Sequence, residues 1–435
     1  MKPQRILFGL LTPGLGGHTH TAVALAKALR DRGHAIDFLV SASTDTGADP
    51  AVTASLIRAA NFPVVPITGM FAPIGQRSFR RNLRDLARQH SYDVLHWFEE
   101  VPARIREAAV VAAEQRCAFV WTITSGGVPW GYYGLNRVVV FTPEVAADAR
   151  RRSPRTTVHV VPARLDLRPL QGQFMENARR EIRGRLAIAG DELLVVRVAR
   201  CARLYLRSVR LGIDLAVRLV RAGKPAVFVH AGYVEDPDVA QEIRRMVHEA
   251  NAAAGQLLAH SITENVEIGA RYVAAADVCI AAGRSAIEAV ALERPTLVAW
   301  GSRYLGMVDE SNIQAMADTN FQGRNTQAIA SDDEVVSQMH DAVRRRLTEP
   351  ELGARTHTLC ARFIKDRYSV ESAAATYEVL YADRTVRVNG FLTHYSNPRH
   401  LGRELFHRLP VSIRASRAVS FLRRARAWPG VPGID

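Results

Sequence analysis

The residues of this chain best suited to chemistry stand in the run AAADVCIAAGRSAIEAVALERPTLVAW, residues 274–300. Gly283, Arg284 and Ser285 separate an apolar, partly β-branched stretch, Asp277–Ala281, from a segment whose Ile287, Val290 and Ala291 recur at helical spacing. That pattern predicts a strand, a glycine turn and a helix that opens at Ser285. The turn offers unpaired backbone N–H groups, a glycine that permits close approach and a guanidinium at the positive end of a helix, a combination that suits a phosphate. On these residues alone, a capped helix in any α/β domain is the alternative. Ser285 and Glu288 have the spacing of a capping box, in which each side chain satisfies an orphan amide at the helix start. Arg294-Pro295 ends the helix and Thr296–Trp300 reads as the next strand, which completes one β-loop-α-β unit of a parallel sheet.

A second concentration of charge follows the apolar run Glu192–Ala199. Arg200 leads into a basic loop, CARLYLRSVR, that contains Arg207 and Arg210, with a helix expected from Leu211 to Ala222. Arginines gathered at a strand-helix junction repel one another unless an anion joins them, so an anion site is the favoured reading. Ala226–His230 is the next strand and ends at Ala231-Gly232. The chain opens in the same way: strand Arg5–Leu11, a turn with Gly14, Gly16 and Gly17, helix Thr21–Arg32 and strand Ala35–Val40. These glycines are too irregular for a dinucleotide or P-loop fingerprint. His18 and His20 in the turn make no metal site without further partners, which leaves them as loop histidines facing substrate or solvent. His96 sits near the end of strand Tyr92–Phe98, where α/β sheets bind ligands. It is expected to face a cleft, with a buried structural histidine as the alternative.

A length of 435 residues implies two domains, each with its own core, and 48% hydrophobic against 23% charged content is that of a folded globular protein. The four cysteines, Cys117, Cys201, Cys279 and Cys360, are widely spaced and form no CxxC pair, which fits a reducing cytoplasm and no disulfide framework. No run of eighteen apolar residues exists, and Met1–Leu15 reads as a first strand rather than a signal peptide. The formal charge of +14 is arginine-rich and points to a polyanionic partner: phosphorylated substrate, anionic membrane surface or nucleic acid. Nucleic acid ranks last, because the arginines are scattered over helices and a tail with no aromatic-interleaved motif. Helix Ser78–Gln89 turns Arg80, Arg81, Arg84 and Arg88 largely outward, as a solvated basic face or as a contact for anionic lipid or a phosphorylated acceptor. Further strands are expected at Ala118–Thr124, Arg137–Thr142, Val158–Val161 and Val266–Ile268, and helices at Asp332–Arg346 and Tyr368–Tyr381. The polar stretches GSRYLGMVDESN and TNFQGRN receive no role. Arg384–Asp435 is strongly basic, and its Ser416–Ala427 reads either as an amphipathic helix on a membrane or as a disordered tail.

The Gly-Arg-Ser-x-x-Glu-Ala-x-Ala-x-x-x-Pro pattern resembles the donor-nucleotide site of GT-B glycosyltransferases, closest to the retaining family 4. The run GGHTHTAVALAKALRDRGHAIDFLV is similar to that family's first unit, YDVLHWF to its Asp-Val-x-His strand end, and VVPARLDLRPL to its interdomain segment. The resemblance covers about residues 5–382 and implies an α/β GT-B fold: two Rossmann-like parallel-sheet domains facing across a cleft, with a basic C-terminal extension. Its parts would be an acceptor domain over 1–168, a donor domain over 169–366, a helix crossing back over 367–383 and the extension over 384–435. By the same resemblance, Arg200, Arg207, Arg210, Gly232, Gly283, Arg284 and Ser285 surround the donor, with Glu288 on its ribose. Gly16, Gly17 and His18 line the sugar and acceptor, and His96 contacts the acceptor hydroxyl or the sugar. Departures are Ile280 where the family has a second glutamate, an absent lysine after Arg200, Ala163-Arg164 in place of Asn-Gly and Ser125-Gly126-Gly127 in place of a histidine. The implied activity is metal-independent, retaining transfer of a sugar from a nucleotide-sugar co-substrate, with no bound cofactor, to a lipid-linked or polysaccharide acceptor in the cytoplasm or on the inner face of the membrane. The alternatives are a sugar-nucleotide epimerase using Glu99 and Glu100, or a degenerate nucleotide-binding subunit.

Overall fold

In the computed structural model, the described residues are 2–11, 16–41, 50–67, 73–98, 101–124, 126–128, 135–162, 164–170, 172–263, 269–324, 326 and 331–386. Among them two sheets form, each from an alternation of strand and helix. The first contains β1 (Arg5–Leu10), β2 (Ala35–Ser41), β3 (Val64–Ile67), β4 (Val94–Trp97), β5 (Ala118–Ile123), β6 (Arg137–Val140) and β7 (Thr157–Val160). They are all parallel, in the order β3-β2-β1-β4-β5-β6-β7. The connecting helices are α1 (Gly17–Asp31), α2 (Pro50–Ala59), α3 (Pro73–His90), α4 (Pro102–Gln115) and α5 (Pro143–Arg152). Nearly every residue of β1, β4 and β5 is buried, as expected of strands covered on both faces.

After α6 (Gln173–Arg185) the chain builds the second sheet from β8 (Leu193–Val198), β9 (Ala226–Ala231), β10 (Ala259–Ile262), β11 (Val278–Ala281), β12 (Thr296–Trp300) and β13 (Arg303–Met307). Its order is β10-β9-β8-β11-β12-β13, with only β13 antiparallel. The helices are α7 (Arg203–Arg221), α8 (Pro237–Ala254), α9 (Gly269–Ala275), α10 (Arg284–Ala291), α11 (Ile313–Asp318), α12 (Asp332–Thr348) and α13 (Pro350–Tyr368). Strand order reverses between β1 and β4 in the first sheet and between β8 and β11 in the second. These are the points where α/β sheets open a crevice for ligands.

Several expectations shift. The second sheet's edge strand is Ala259–Ile262, whereas Val266–Ile268 lies outside the described residues. GSRYLGMVDESN supplies β13, which pairs with β12 through a bulge at Val298/Ala299. The supposed basic loop after β8 is mostly helix, because α7 starts at Arg203 and places Arg207 and Arg210 on its second and third turns. On α3, Arg80 and Arg84 turn to Glu114 of α4, with Arg84 Nε at 2.7 Å, while Arg81 and Arg88 are exposed. The basic tail residues 387–435, including Ser416–Ala427, lie outside the described residues. No helix among the described residues is long and apolar enough to cross a membrane.

The chain crosses between the sheets twice. On the way out, Arg164 and Leu165 donate their amides to the Tyr368 carbonyl at 2.8 and 2.9 Å. On the way back, the chain breaks at Ser369 and continues as α14 (Val370–Ala382), with the Val370 amide on the Leu165 carbonyl at 2.9 Å. The two crossings thus lie side by side as a short parallel bridge, Leu165 against Ser369. Helix α14 buries Val370, Ala373, Ala374, Tyr377, Leu380 and Tyr381 in the core of the first sheet, beneath α1.

Candidate functional site

Two helix starts, one from each domain, meet between the sheets. Gly16 is the N-cap of α1, and Gly17 and His18 form its first turn, so these residues begin a helix four residues earlier than the sequence pattern predicts. Gly283 is the N-cap of α10, with φ 57° and ψ −131°, a backbone region that is essentially reserved for glycine. A Cβ added to Gly17 would lie 3.7 Å from the Cβ of Arg284, so the helix starts touch at that arginine. Arg284 Nη1 donates to the Arg164 carbonyl at 2.9 Å and, at 3.4 Å, to the Thr21 hydroxyl of α1. Its Nε donates to Glu288 Oε1 at 2.7 Å. His20, behind α1's first turn, is pushed down to about 3 by burial and then by Arg284 and His18, which keeps it neutral.

The capping box is not made. Ser285 folds back onto Ala282, its hydroxyl donating to the carbonyl at 3.0 Å, and Glu288 is taken by Arg284. Glycine at the N-cap leaves the first amides of α10 without a side-chain cap, which keeps them available to an anion.

Arg200 follows β8 at the switch point and pairs with Glu235 at 2.7 Å. Burial opposes its charge, but Tyr205, Glu235 and Tyr233 together hold the guanidinium above its ordinary range. Gly232 is the reason this corner is tight, since a Cβ there would stand 1.7 Å from the Ala199 carbonyl oxygen. Arg207 is anchored to Asp332 at 2.7 Å and Arg210 is an exposed side chain on α7, so the three arginines do not converge as a cluster. Their helical spacing, not visible while the segment is read as loop, separates them.

His96 is a correction. It is fully buried on β4, with Nδ1 2.7 Å from the Tyr381 hydroxyl and Nε2 2.8 Å from the Thr122 hydroxyl, stacked on Phe98 at 4.1 Å. Burial holds it well below the ordinary histidine range. It fastens α14 to the first sheet and does not face the cleft. Glu99 and Glu100, the acid/base candidates for epimerisation, lie outside the described residues. Among the described residues no three histidine, cysteine or acidic side chains come together as a metal-ligand set.

Three cleft residues were missed. Arg164, on the outgoing crossing, is buried at 4% exposure, lies over the rings of Phe141 (4.6 Å) and Tyr368 (5.8 Å), and donates to Asn320 Oδ1. Burial pushes it down to about 10; Arg284 and Arg324 press the same way, against Tyr368 and Glu288. Asn320 and Arg324 belong to TNFQGRN, which folds against Gly283: the Gly283 amide donates to the Phe321 carbonyl at 3.3 Å. The only signals in the sequence were the polarity of that stretch and an arginine where the family has Asn-Gly.

A family model described as Glycosyltransferase Family 4 matches residues 15–169, the first domain. With the two facing sheets, it supports the resemblance to the family 4 glycosyltransferases and a fold of the GT-B kind. The structure is similar to a glycosyltransferase from Rickettsia africae ESF-5 at TM-score 0.65 and 10% identity, covering 88% of this chain and 99% of that one. It is also similar to Anabaena HepE, solved with UDP and glucose, at TM-score 0.60 and 14% identity over 87% of this chain and 100% of that one. A UDP-GlcNAc 2-epimerase from Neisseria meningitidis matches at TM-score 0.56 and 11% identity over 86% and 98%. At such identities the likeness is one of fold. No curated protein sequence matches the chain.

Proposed function

We propose that the second domain holds a nucleotide-sugar and that the chain transfers the sugar, with retention and without a metal, to a glycan or lipid-linked acceptor bound against the first domain. The observation that carries this reading is the meeting of the α1 and α10 helix starts on Arg284, 3.7 Å from a Cβ position at Gly17. The amides of Arg284 and Ser285, which no side chain caps, the Arg284 guanidinium and Arg200 beyond it supply positive charge on the donor side of the cleft. In transfer, the bond from the sugar's anomeric carbon to the diphosphate oxygen breaks and a bond to the acceptor hydroxyl forms. The acceptor's proton leaves with the diphosphate. Charge that grows on the departing oxygen is stabilised by these fixed cations and dipoles, which need no reorganisation as the bond breaks. Glu288 would meet the ribose hydroxyls once Arg284 turns toward phosphate.

A cytoplasmic site on the inner face of a membrane, with a polysaccharide-building role, is part of the same proposal. Its support is the chain's charge of +14 and the exposed Arg81 and Arg88 on α3. The test is a thermal-shift screen of UDP, GDP, ADP and their sugars on wild type and Glu288→Ala. One nucleotide should raise Tm, with the shift lost in the variant. No shift with any nucleotide would sink the donor site, and interconversion of a sugar nucleotide would turn the reading to epimerase.

A further inference from the structure

Resting on the sugar-transfer reading of the cleft, we infer that Arg164 and Arg324, beside the Arg284 that serves the donor phosphate, form an anion subsite of their own. It takes a carboxylate or phosphate carried by the transferred sugar or the acceptor. Three guanidinium groups from three segments converge here: the outgoing crossing, the start of α10, and the TNFQGRN loop. Arg284 Nη1 donates to the Arg164 carbonyl at 2.9 Å, Arg164 donates to Asn320, and Arg324 donates to Gln322 in the same loop. The acidic residues present are already engaged. Glu288 accepts from Arg284 at 2.7 Å, and Glu144 of α5 accepts from Arg324 Nε at 3.0 Å and forms an ion pair with its Nη2 at 2.7 Å. No carboxylate pairs with Arg164 among the described residues, and its Nε, fully buried, has no hydrogen-bond partner. A buried cation without a counter-charge is costly, and an acidic ligand would supply the missing one.

Position separates this cluster from the diphosphate. Arg200 and the α10 amides stand at the C-terminal ends of β8 and β11. Arg164 and Arg324 instead pack on first-domain residues: Phe141, Glu144 and Gly126, where a Cβ would come within 2.4 Å of Arg324 Nη1. They therefore stand on the first-domain side of the cleft, across from Arg200. The loop that carries Arg324 is held in an uncommon conformation, with the consecutive non-glycine residues Asn320 (φ 57°) and Phe321 (φ 55°) both left-handed. Such backbone persists where the surroundings over-determine it, as at ligand clamps. Asn320 fixes Arg164, Gln322 accepts from Arg324, and the Phe321 carbonyl receives the Gly283 amide, so the loop ties the three arginines to the α10 start.

The test uses the full chain saturated with whichever nucleoside diphosphate binds in the screen above. Glucuronate and glycerol 3-phosphate are titrated at constant ionic strength against glucose and glycerol as neutral controls. At least one acid should bind about tenfold more tightly than its neutral counterpart, a difference read directly as a ratio of dissociation constants. Glucuronate alone would identify a sugar acid, and glycerol 3-phosphate alone a phosphorylated acceptor. Arg324→Gln should remove the preference and leave nucleotide affinity unchanged, whereas Glu144→Gln, which frees Arg324, should strengthen acid binding. Equal binding of acids and neutral controls to wild type overturns the inference, as does a preference that survives Arg324→Gln. If no nucleotide binds, the donor reading has failed on its own, and the same titration on the nucleotide-free chain still decides the subsite.

Discussion

Replacing Glu378 by glutamine tests how firmly α14 ties the end of the chain to the first domain. The carboxylate receives Arg32 Nε at 2.9 Å and Arg32 Nη2 at 2.6 Å, and His34 Nε2 lies 3.0 Å away. Hydrogen bonding from Arg32 leads, burial opposes and His34 adds, so that the carboxyl is held down at about 2 against an ordinary 4.5. Such a depression sets a ceiling of about 3 kcal/mol. Arg32 is 45% exposed, and solvent screening brings the net contribution to about 1–2 kcal/mol. Because the folded-state value is depressed, this stability is present above the unfolded carboxyl's range and is lost as pH falls toward the folded value. Glu378→Gln should therefore unfold about 1–2 kcal/mol more easily at neutral pH, with the gap closing between roughly pH 4.5 and pH 2. Urea titrations of both proteins across that range, with hydrogen exchange in α14 as the local probe, measure it. Comparing the pair cancels the titration of other carboxylates. A gap that stays constant or widens in acid would refute the ion-pair account.

Two further substitutions separate scaffold from site. His96→Phe strands the Tyr381 hydroxyl in the core, while Thr122 keeps the Tyr377 hydroxyl at 3.0 Å, and should cost about 1–3 kcal/mol of stability; the nucleotide-induced rise in Tm, measured from the variant's own baseline, should be unchanged, and its loss would return His96 to the cleft. Gly283→Ala meets no contact closer than 3.6 Å, so its cost of about 1–3 kcal/mol is backbone strain at the α10 start, and nucleotide affinity by calorimetry should fall at least about tenfold; an unchanged affinity would mean that the α10 amides do not touch the ligand.

The sheets were legible because fully buried parallel strands leave uninterrupted apolar runs such as VLHW and AFVWTI, and because glycines punctuate the strand-helix turns. Helix starts were harder to place. Gly17–His20 has no apolar period, and the many arginines in Arg203–Arg210 mask the period that Leu206 and Val209 begin, yet both segments are helical. The donor-side residues could be named from local pattern, since Gly283, Arg284 and Glu288 are neighbours in the chain. Arg164 and Arg324 could not, because what sets them together is tertiary: they are separated by the whole second sheet and meet only when the domains face each other. His96 shows the opposite limit. Its place near a strand end was right, but whether the side chain points to cleft or core depends on α14, which returns from far along the chain.

The paired crossings at Leu165 and Ser369 carry a mechanical consequence. Two chain segments fastened to each other by backbone hydrogen bonds behave as a strap hinge: they resist sliding and shear between the domains while leaving rotation about a single line. Arg284 on Thr21 and Arg324 on Glu144 span the gap between the domains, and Arg168 on Asp31 spans it beside the crossings, so all three act as catches on that rotation. Two of these catches are arginines that an anion would claim. A ligand entering the cleft would release the latch and take its place as the fastener, so that opening without ligand and closure around it draw on the same guanidinium groups.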